Sequence, residues 1–370
     1  MRSRTGTTVK DGTRTPPDGT GTRPGSVLLG LDLGGAHLKA ALLVANKPCA
    51  IREVPCRLWE GLDRLATAFA HILAGWPEAE TVALTMTGEL VDLFPDRPTG
   101  VRHLLDAVAA RFPDRPLRVW STEGFLTPER AAAVPLAVAS ANWWATAELL
   151  ARRLPSGILV DIGSTTTDLV PFAGGCVRAR GRDDATRLAE GELVYQGLIR
   201  TPVMALGERV PFGGRLVGVM AEYFATSADL YRLLGRLDEA FDQHPAADGG
   251  AKTVEGSARR LLRMVGTDLG PASLEDAGQL AATFAEAQLR RIQDGLALLL
   301  SRRELPDDAP LVGAGCGAFL VEELARRLGR PSRDLGSLLA LEGELASWAN
   351  IATPALAVVL LAVEPSSQAA

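Results

Sequence analysis

Val27-Leu-Leu-Gly30-Leu-Asp32-Leu-Gly34-Gly35 is an apolar run that stops at a DxG turn, and a second strand, 37–45, follows it. In the second half, Ile158-Leu-Val-Asp161-Ile-Gly163-Ser164-Thr165-Thr166-Thr167-Asp168 repeats that plan, with strand 168–172 after the turn. Each run is continuous rather than alternating, as in a strand covered on both faces. A plan of strand, turn and strand used twice, among helices and further strands, predicts an α/β protein of two related lobes.

Working outward from the first stretch, the pattern predicts a strand at 50–58, a helix at 61–73 and a strand at 81–86 ending in Thr87-Gly88-Glu89. A helix at 99–111 and a strand at 117–121 follow. A longer helix is expected from Ser140, read as its N-cap, to residue 154. Pro155-Ser156-Gly157 breaks the chain, which places the lobe boundary there, with lobes at 27–155 and 156–370. Beyond the second stretch, helices are expected at 219–237, 253–265 and 274–302. The last has an apolar face at three- and four-residue steps from Ala281 to Leu299. A strand at 310–314 ends in Gly315-Cys316-Gly317 and enters a helix at 318–328, and helices at 337–349 and 354–363 close the chain. Residues 1–26 hold almost no apolar side chains and are expected to be a disordered tail.

Three turns carry chemistry. Gly34 and Gly35 let backbone approach a ligand and present amides to an oxyanion. Asp32 stands at the strand end where a carboxylate can hold Mg²⁺, and Lys39 adds positive charge on the returning strand. A plain glycine hairpin is the alternative. The second turn offers Gly163, Ser164, Thr165 and Thr166 as phosphate donors, with Asp161 and Asp168 to position a cation. The third, Val312-Gly313-Ala314-Gly315-Cys316-Gly317, suits a flat ligand against backbone at Gly313 and Gly315, or equally the close packing of helix on strand. Mg²⁺ is therefore the expected cofactor, and ATP binding is left open.

Bulk properties exclude other classes. A chain of 370 residues exceeds one compact core. Net charge is -5 without a basic stripe, which argues against nucleic acid. The longest apolar run, 354–363, is half of a bilayer span and reads as a buried helix, so no membrane is expected. The N-terminus lacks the apolar stretch of a secretory signal. Four scattered cysteines without a CxxC, and four histidines, argue against zinc and for a cytoplasmic setting.

Two phosphate turns followed by a late glycine loop resemble the actin/sugar kinase/Hsp70 superfamily, a two-lobed ribonuclease H-like fold with a central cleft. A closer resemblance lies in Thr85-Met-Thr-Gly88-Glu89-Leu, Ala141-Asn142-Trp143, the Asp161–Asp168 turn, Gly191-Glu192-Leu-Val-Tyr195-Gln-Gly197, Arg200-Thr-Pro202 and Ala221-Glu222-Tyr223-Phe224-Ala-Thr-Ser-Ala-Asp229. These segments are similar to the hydantoinase/oxoprolinase-related family linked to tetrahydromethanopterin one-carbon metabolism. Its methanogen members are the methanofuran-biosynthesis synthases that join an aminomethylfuran to γ-glutamyltyramine.

That resemblance implies a condensation without ATP, in which a phenol oxygen displaces diphosphate from a furan-methyl carbon. The turns and Mg²⁺ would then neutralise charge on the departing diphosphate. A phenol, with a pKa of about 10 in water, calls for a carboxylate to take its proton. Glu89, Glu192 and Glu222 are the candidates, unranked by any spacing. Asn142 and Trp143 open a helix and offer either a core aromatic pair with Trp144 or a wall for a ring. Arg200 could grip a diphosphate oxygen or a carboxylate, or close a surface ion pair. The expected partners are small molecules, a furan diphosphate and a tyramine derivative, with a homodimer allowed. An ATP-dependent kinase, a hydantoinase/oxoprolinase-like hydrolase and a non-catalytic nucleotide-binding regulator are the other readings.

Overall fold

The strand β1 (Val27–Leu33) has six of its seven residues buried, which is why it reads as an unbroken apolar run. The computed structural model describes residues 26–364, so the expected tail 1–26 lies, apart from Ser26, outside the described residues. β2 (His37–Val44) returns antiparallel to β1, and β3 (Lys47–Pro55) runs antiparallel to β2. On the other side of β1, β4 (Thr81–Met86) and β5 (Leu117–Ser121) are parallel, and β6 (Gly124–Leu126) turns back. Parallel neighbours need crossovers, which α1 (Asp63–Ile72) and α2 (Arg97–Arg111) supply. Asp96 caps α2 by accepting from the Thr99 amide. Three helices follow: α3 (Pro128–Ala133), α4 (Pro135–Val138) and α5 (Asn142–Ala151).

The second sheet is built on the same plan. β7 (Ser156–Ile162) pairs antiparallel with β8 (Thr167–Ala173), which also pairs with the short β9 (Cys176–Val177). α6 (Asp184–Ala189) precedes β10 (Leu193–Val194), which lies on the far side of β8. A separate hairpin, β11 (Arg209–Phe212) and β12 (Arg215–Gly218), leads to α7 (Ser227–Leu233), α8 (Val254–Arg263) and the long α9 (Leu274–Ser301). Then β13 (Leu311–Ala314) lies parallel to β7. After α10 (Val321–Leu328), β14 (Ser332–Asp334) lies parallel to β13. α11 (Leu335–Leu338), α12 (Gly343–Ile351) and α13 (Thr353–Val363) end the described chain. The orders β3-β2-β1-β4-β5 and β10-β8-β7-β13-β14 match strand for strand. The weak repeat in the sequence is thus a doubled topology, as the actin/sugar kinase/Hsp70 resemblance implies.

Helices are exchanged between the halves. α13 packs on β1, β2 and β4, whereas α5 packs on β7, β8 and β9, and the two helices touch each other. One core therefore holds Leu28, Leu149, Val170 and Val359 together. Gly30 permits this, because a Cβ there would lie 2.1 Å from the Ala355 carbonyl oxygen. A cut at 155/156 consequently does not separate two self-contained lobes: 353–363 belongs with the first sheet.

Several elements differ from expectation. The helix expected at 219–237 is confined to Ser227–Leu233, because the Val219 and Met220 amides bond to Glu208 and Met264 and the Thr226 amide bonds to Asp229. The helix expected at 337–349 breaks where Ala340 and Gly343 adopt positive φ. Ser140 is not an N-cap: its φ is 51°, and α5 begins at Asn142. The apolar 354–363 run is a core helix as expected, with ten of the eleven residues of α13 buried. Among the described residues, no single helix is long and apolar enough to cross a membrane.

Candidate active site

The two DxG turns face one another across a cleft of about 300 Å³. From the first sheet it is lined by Asp32, Gly34, Gly35 and Lys39, and from the second by Asp161, Gly163, Ser164, Thr165, Thr166 and Asp168. The turns close alike, Gly34 N–H donating to His37 O at 3.0 Å and Gly163 N–H to Thr166 O at 2.9 Å. Residues 197–200 brace the second turn from behind. The Leu198 amide donates to Gly163 O, the Ile199 and Arg200 amides donate to Ser164 O, and Arg200 Nη1 reaches Thr165 Oγ1 at 3.3 Å. Held in this way, residues 163–166 line the cleft, where an anion's oxygens can be met.

Register sets the charges. Asp32 stands opposite Lys39 across β1–β2, but Asp161 stands opposite Asp168 across β7–β8. The second turn thus holds two carboxylates where the first holds an ion pair. Burial, with Asp168 and Asp32 adding repulsion, pushes Asp161 up to about 7. Burial also raises Asp168, although Arg187 Nη2 bonds it at 2.8 Å and opposes the shift. Burial pulls Lys39 down, but Glu53, Asp32 and Asp161 outweigh it and leave the ammonium above its ordinary value. Glu53, opposite Lys39 on β3 and 3.7 Å from it, is itself pushed up to about 7 by burial.

A divalent cation suits this floor. Asp32 Oδ1 is buried with no partner, and Asp161 is repelled by Asp168 and Asp32, with Lys39 the opposing charge. No group of three or more His, Cys, Asp or Glu side chains gathers as a ready metal site among the described residues. That is compatible with Mg²⁺, which takes one or two carboxylates and completes its shell with phosphate and water. Asp168, expected as a third ligand, is instead engaged by Arg187.

The three candidate bases separate. Glu192 is fully buried away from the cleft, where it accepts from the Arg180 and Gly181 amides at 2.9 Å each and from Arg302 Nη1 at 2.6 Å. Its lone pairs are committed, so it anchors α9 to the 180–181 turn rather than facing a substrate. Glu222 is exposed, outside the cleft, and accepts from the Tyr223 amide. Glu89 is 1% exposed, and burial raises its pKa. Ser140 Oγ, on the cleft wall, donates to Glu89 Oε1 at 2.8 Å, while Oε2 has no partner. Glu89 therefore touches the cleft through Ser140, whose positive φ turns the chain at that point.

Asn142 and Trp143 do line the cleft. Trp143 is placed as the core aromatic pair: it is 2% exposed, its ring meets Trp144 at 5.3 Å, and the Arg187 guanidinium covers it at 3.8 Å. Gly313 and Gly315 do not line the cleft. Gly313 lies within β13 under Val321 of α10. Gly315 has φ 80°, and a Cβ there would lie 2.2 Å from Ile162 O and 2.5 Å from Asp161 Oδ1. The packing alternative applies, and this loop presses on the end of β7 and positions Asp161. Sequence reasoning missed His37, Trp59, Arg187 and Pro354, which reach the cleft from four separate segments. Only the Asp183–Thr186 capping box gave a local sign, of the helix that carries Arg187.

The hydantoinase/oxoprolinase family model matches residues 80–337. A (4-{4-[2-(γ-L-glutamylamino)ethyl]phenoxymethyl}furan-2-yl)methanamine synthase of Methanocaldococcus jannaschii is 30% identical over 338 residues, covering 90% of this chain and 97% of that one. A protein of the same name from Methanococcus vannielii is 25% identical over 216 residues, 58% of this chain and 95% of that one. Among solved structures, nucleotide-free acetone carboxylase superposes with a TM-score of 0.54 at 12% identity, over 82% of this chain and 68% of that one, a likeness of fold alone. With the doubled sheet order and the paired turns already described, these matches mean that the chain belongs to the hydantoinase/oxoprolinase family.

Proposed function

We propose that this chain is a transferase that couples an aminomethylfuran-methyl diphosphate to γ-glutamyltyramine, forming an aryl ether and releasing diphosphate in methanofuran-type cofactor biosynthesis. The name of the Methanocaldococcus jannaschii relative, matched along nearly its whole length, supports the product. The observation that carries the diphosphate assignment is the late glycine loop. Gly315 is pressed against Asp161 instead of lining the cleft, so the phosphate turns stand without the glycine surface at 313–315 on which a flat ligand could have lain.

In this reading the turns 34–36 and 163–166, with Lys39, hold the substrate's diphosphate. Asp32 and Asp161 would hold Mg²⁺, which when bound neutralises charge on the leaving group. The carbon–oxygen bond to diphosphate breaks with its electron pair going to diphosphate, and the phenol oxygen supplies the pair for the new carbon–oxygen bond. The phenol proton passes to Ser140 Oγ as the Ser140 proton passes to Glu89 Oε1, leaving Glu89 neutral. Burial favours that neutral form.

The test incubates the full chain with the furan diphosphate, γ-glutamyltyramine and Mg²⁺ without ATP, and follows diphosphate and coupled product by mass spectrometry. Turnover that requires ATP would sink the synthase reading and support a kinase. Asp161→Asn should lower turnover by roughly two orders of magnitude or more, with a melting temperature near wild type, since it removes repulsion as well as charge. A large thermal loss would make Asp161 structural instead.

A further inference from the structure

A second chamber of about 280 Å³ adjoins the cleft, and the two share Trp59 and Arg200 in their walls. The partition between them is aromatic and cationic. His37 on the cleft side meets His244 on the chamber side with ring centroids 4.6 Å apart. Trp59 lies 6.1 Å from His244, and the Arg200 guanidinium stands 5.5 Å from the Trp59 ring. His37 and Trp59 come from the first half of the chain, Arg200 and His244 from the second. The Nε2 atoms of both histidines are buried without a partner. Burial, reinforced by their cationic neighbours, holds both imidazoles neutral, His244 at about 4.

The chamber floor is electrically satisfied. Arg260 Nη2 bonds Asp229 Oδ1 at 2.7 Å, and Arg232 bonds both Glu239 and Asp242. Those carboxylates are already paired, so the floor offers no free anion to a cationic ligand. The walls carry the opposite bias. Arg200 forms no ion pair among the described residues, and Arg57 meets only Glu60, at 3.4 Å. Glu60, in the same wall, is already shared between Arg57 and Arg64, the latter 3.0 Å from its Oε2, so the wall's free charge is positive. A carboxylate, as at the end of a γ-glutamyl group, complements that charge, and the guanidinium fork suits it.

We infer that this second chamber seats the carboxylate end of the phenolic acceptor, with Arg57 and Arg200 on its carboxylate and the connecting chain passing His37 and His244 so that the phenol enters the cleft. This rests on the synthase reading above, and it assigns the two substrates to two compartments. The neutral imidazoles at the partition can donate to or accept from an amide in that connecting chain.

The test compares γ-glutamyltyramine with tyramine, which lacks the carboxylate, as acceptors for the furan diphosphate. In the wild-type protein KM should be at least about tenfold lower for γ-glutamyltyramine, the scale of one lost charge-assisted contact. Arg57→Met, at a half-exposed position that folding tolerates, should raise KM for γ-glutamyltyramine about tenfold and narrow the gap to tyramine. Equal KM values for the two acceptors in wild type, or an Arg57→Met effect of the same size on both, would overturn the assignment. Should neither acceptor couple, the synthase reading fails, and calorimetric titration of γ-glutamyltyramine alone decides the chamber. Binding that weakens in Arg57→Met supports it, and binding that is absent or unchanged refutes it.

Discussion

Glu89 and Glu192 are both buried glutamates at the ends of short motifs, yet their surroundings give them different work. Glu192 bonds two backbone amides and the buried Arg302, so its charge is fully used inside the protein. Removing one partner of such a pair strands the other. Glu192→Gln should cost about 3 kcal/mol and lower the melting temperature by several degrees, with activity per folded molecule close to wild type. Glu89 accepts from Ser140, and its Oε2 has no partner among the described residues. Glu89→Gln keeps an acceptor for Ser140, so stability should hold while kcat falls by roughly 10²-fold or more, and Ser140→Ala should match it. Thermal melts beside steady-state kinetics for the three variants separate the roles, and the reverse ordering would exchange them. The buried strand and glycine turn before Glu89 favour it locally, but the partners that commit Glu192, at Arg180, Gly181 and Arg302, are not readable beside it.

At the scale of elements, the strands beside the turns and the buried helix at 354–363 were legible, and the sheet on which that helix docks was not. β1 and β7 announce themselves because burial on both faces demands an unbroken apolar run. α13 is equally apolar, but its sequence carries no sign that it returns to β1. Gly30 records that contact: Gly30→Ala forces a methyl into the Ala355 carbonyl. It should cost at least 1–3 kcal/mol, roughly the range for overpacking, and speed hydrogen exchange across 353–363. Gly278, inside α9 with nothing within 4 Å of where a Cβ would sit, is the control. Gly278→Ala should stabilise by about 0.5–1 kcal/mol through helix propensity. If both variants melt alike, the close docking of α13 on β1 is not what excludes a side chain at residue 30.

For the whole molecule, the exchange of α5 and α13 makes the two halves interdependent. A fragment spanning 27–155 keeps every strand of the first sheet but lacks the helix that buries one face of β1, β2 and β4. It also exposes the α5 surface that packs on β7 and β8. Such a fragment should show no cooperative melt by circular dichroism, whereas the full chain should melt cooperatively. A cooperatively folding fragment would restore the boundary at residue 155 as a true domain limit. The interdependence bears on the site as well, since the cleft takes residues from both sheets and Pro354 from the exchanged helix.

The sequence by itself determined the doubled strand–turn–strand plan, the acidic residues at the turns and the family. Those features are local, carried by contiguous apolar runs, by glycine and hydroxyl residues in tight turns, and by short motifs. The tertiary structure alone decided which glutamate reaches the cleft, that the late glycine loop backs Asp161 rather than a ligand, and that Trp59, Arg200, His37 and His244 meet between two chambers. The physical reason is range. Turn chemistry is written within a few residues, whereas burial, ion pairing and the lining of a cavity depend on which distant segments the sheets and exchanged helices bring together.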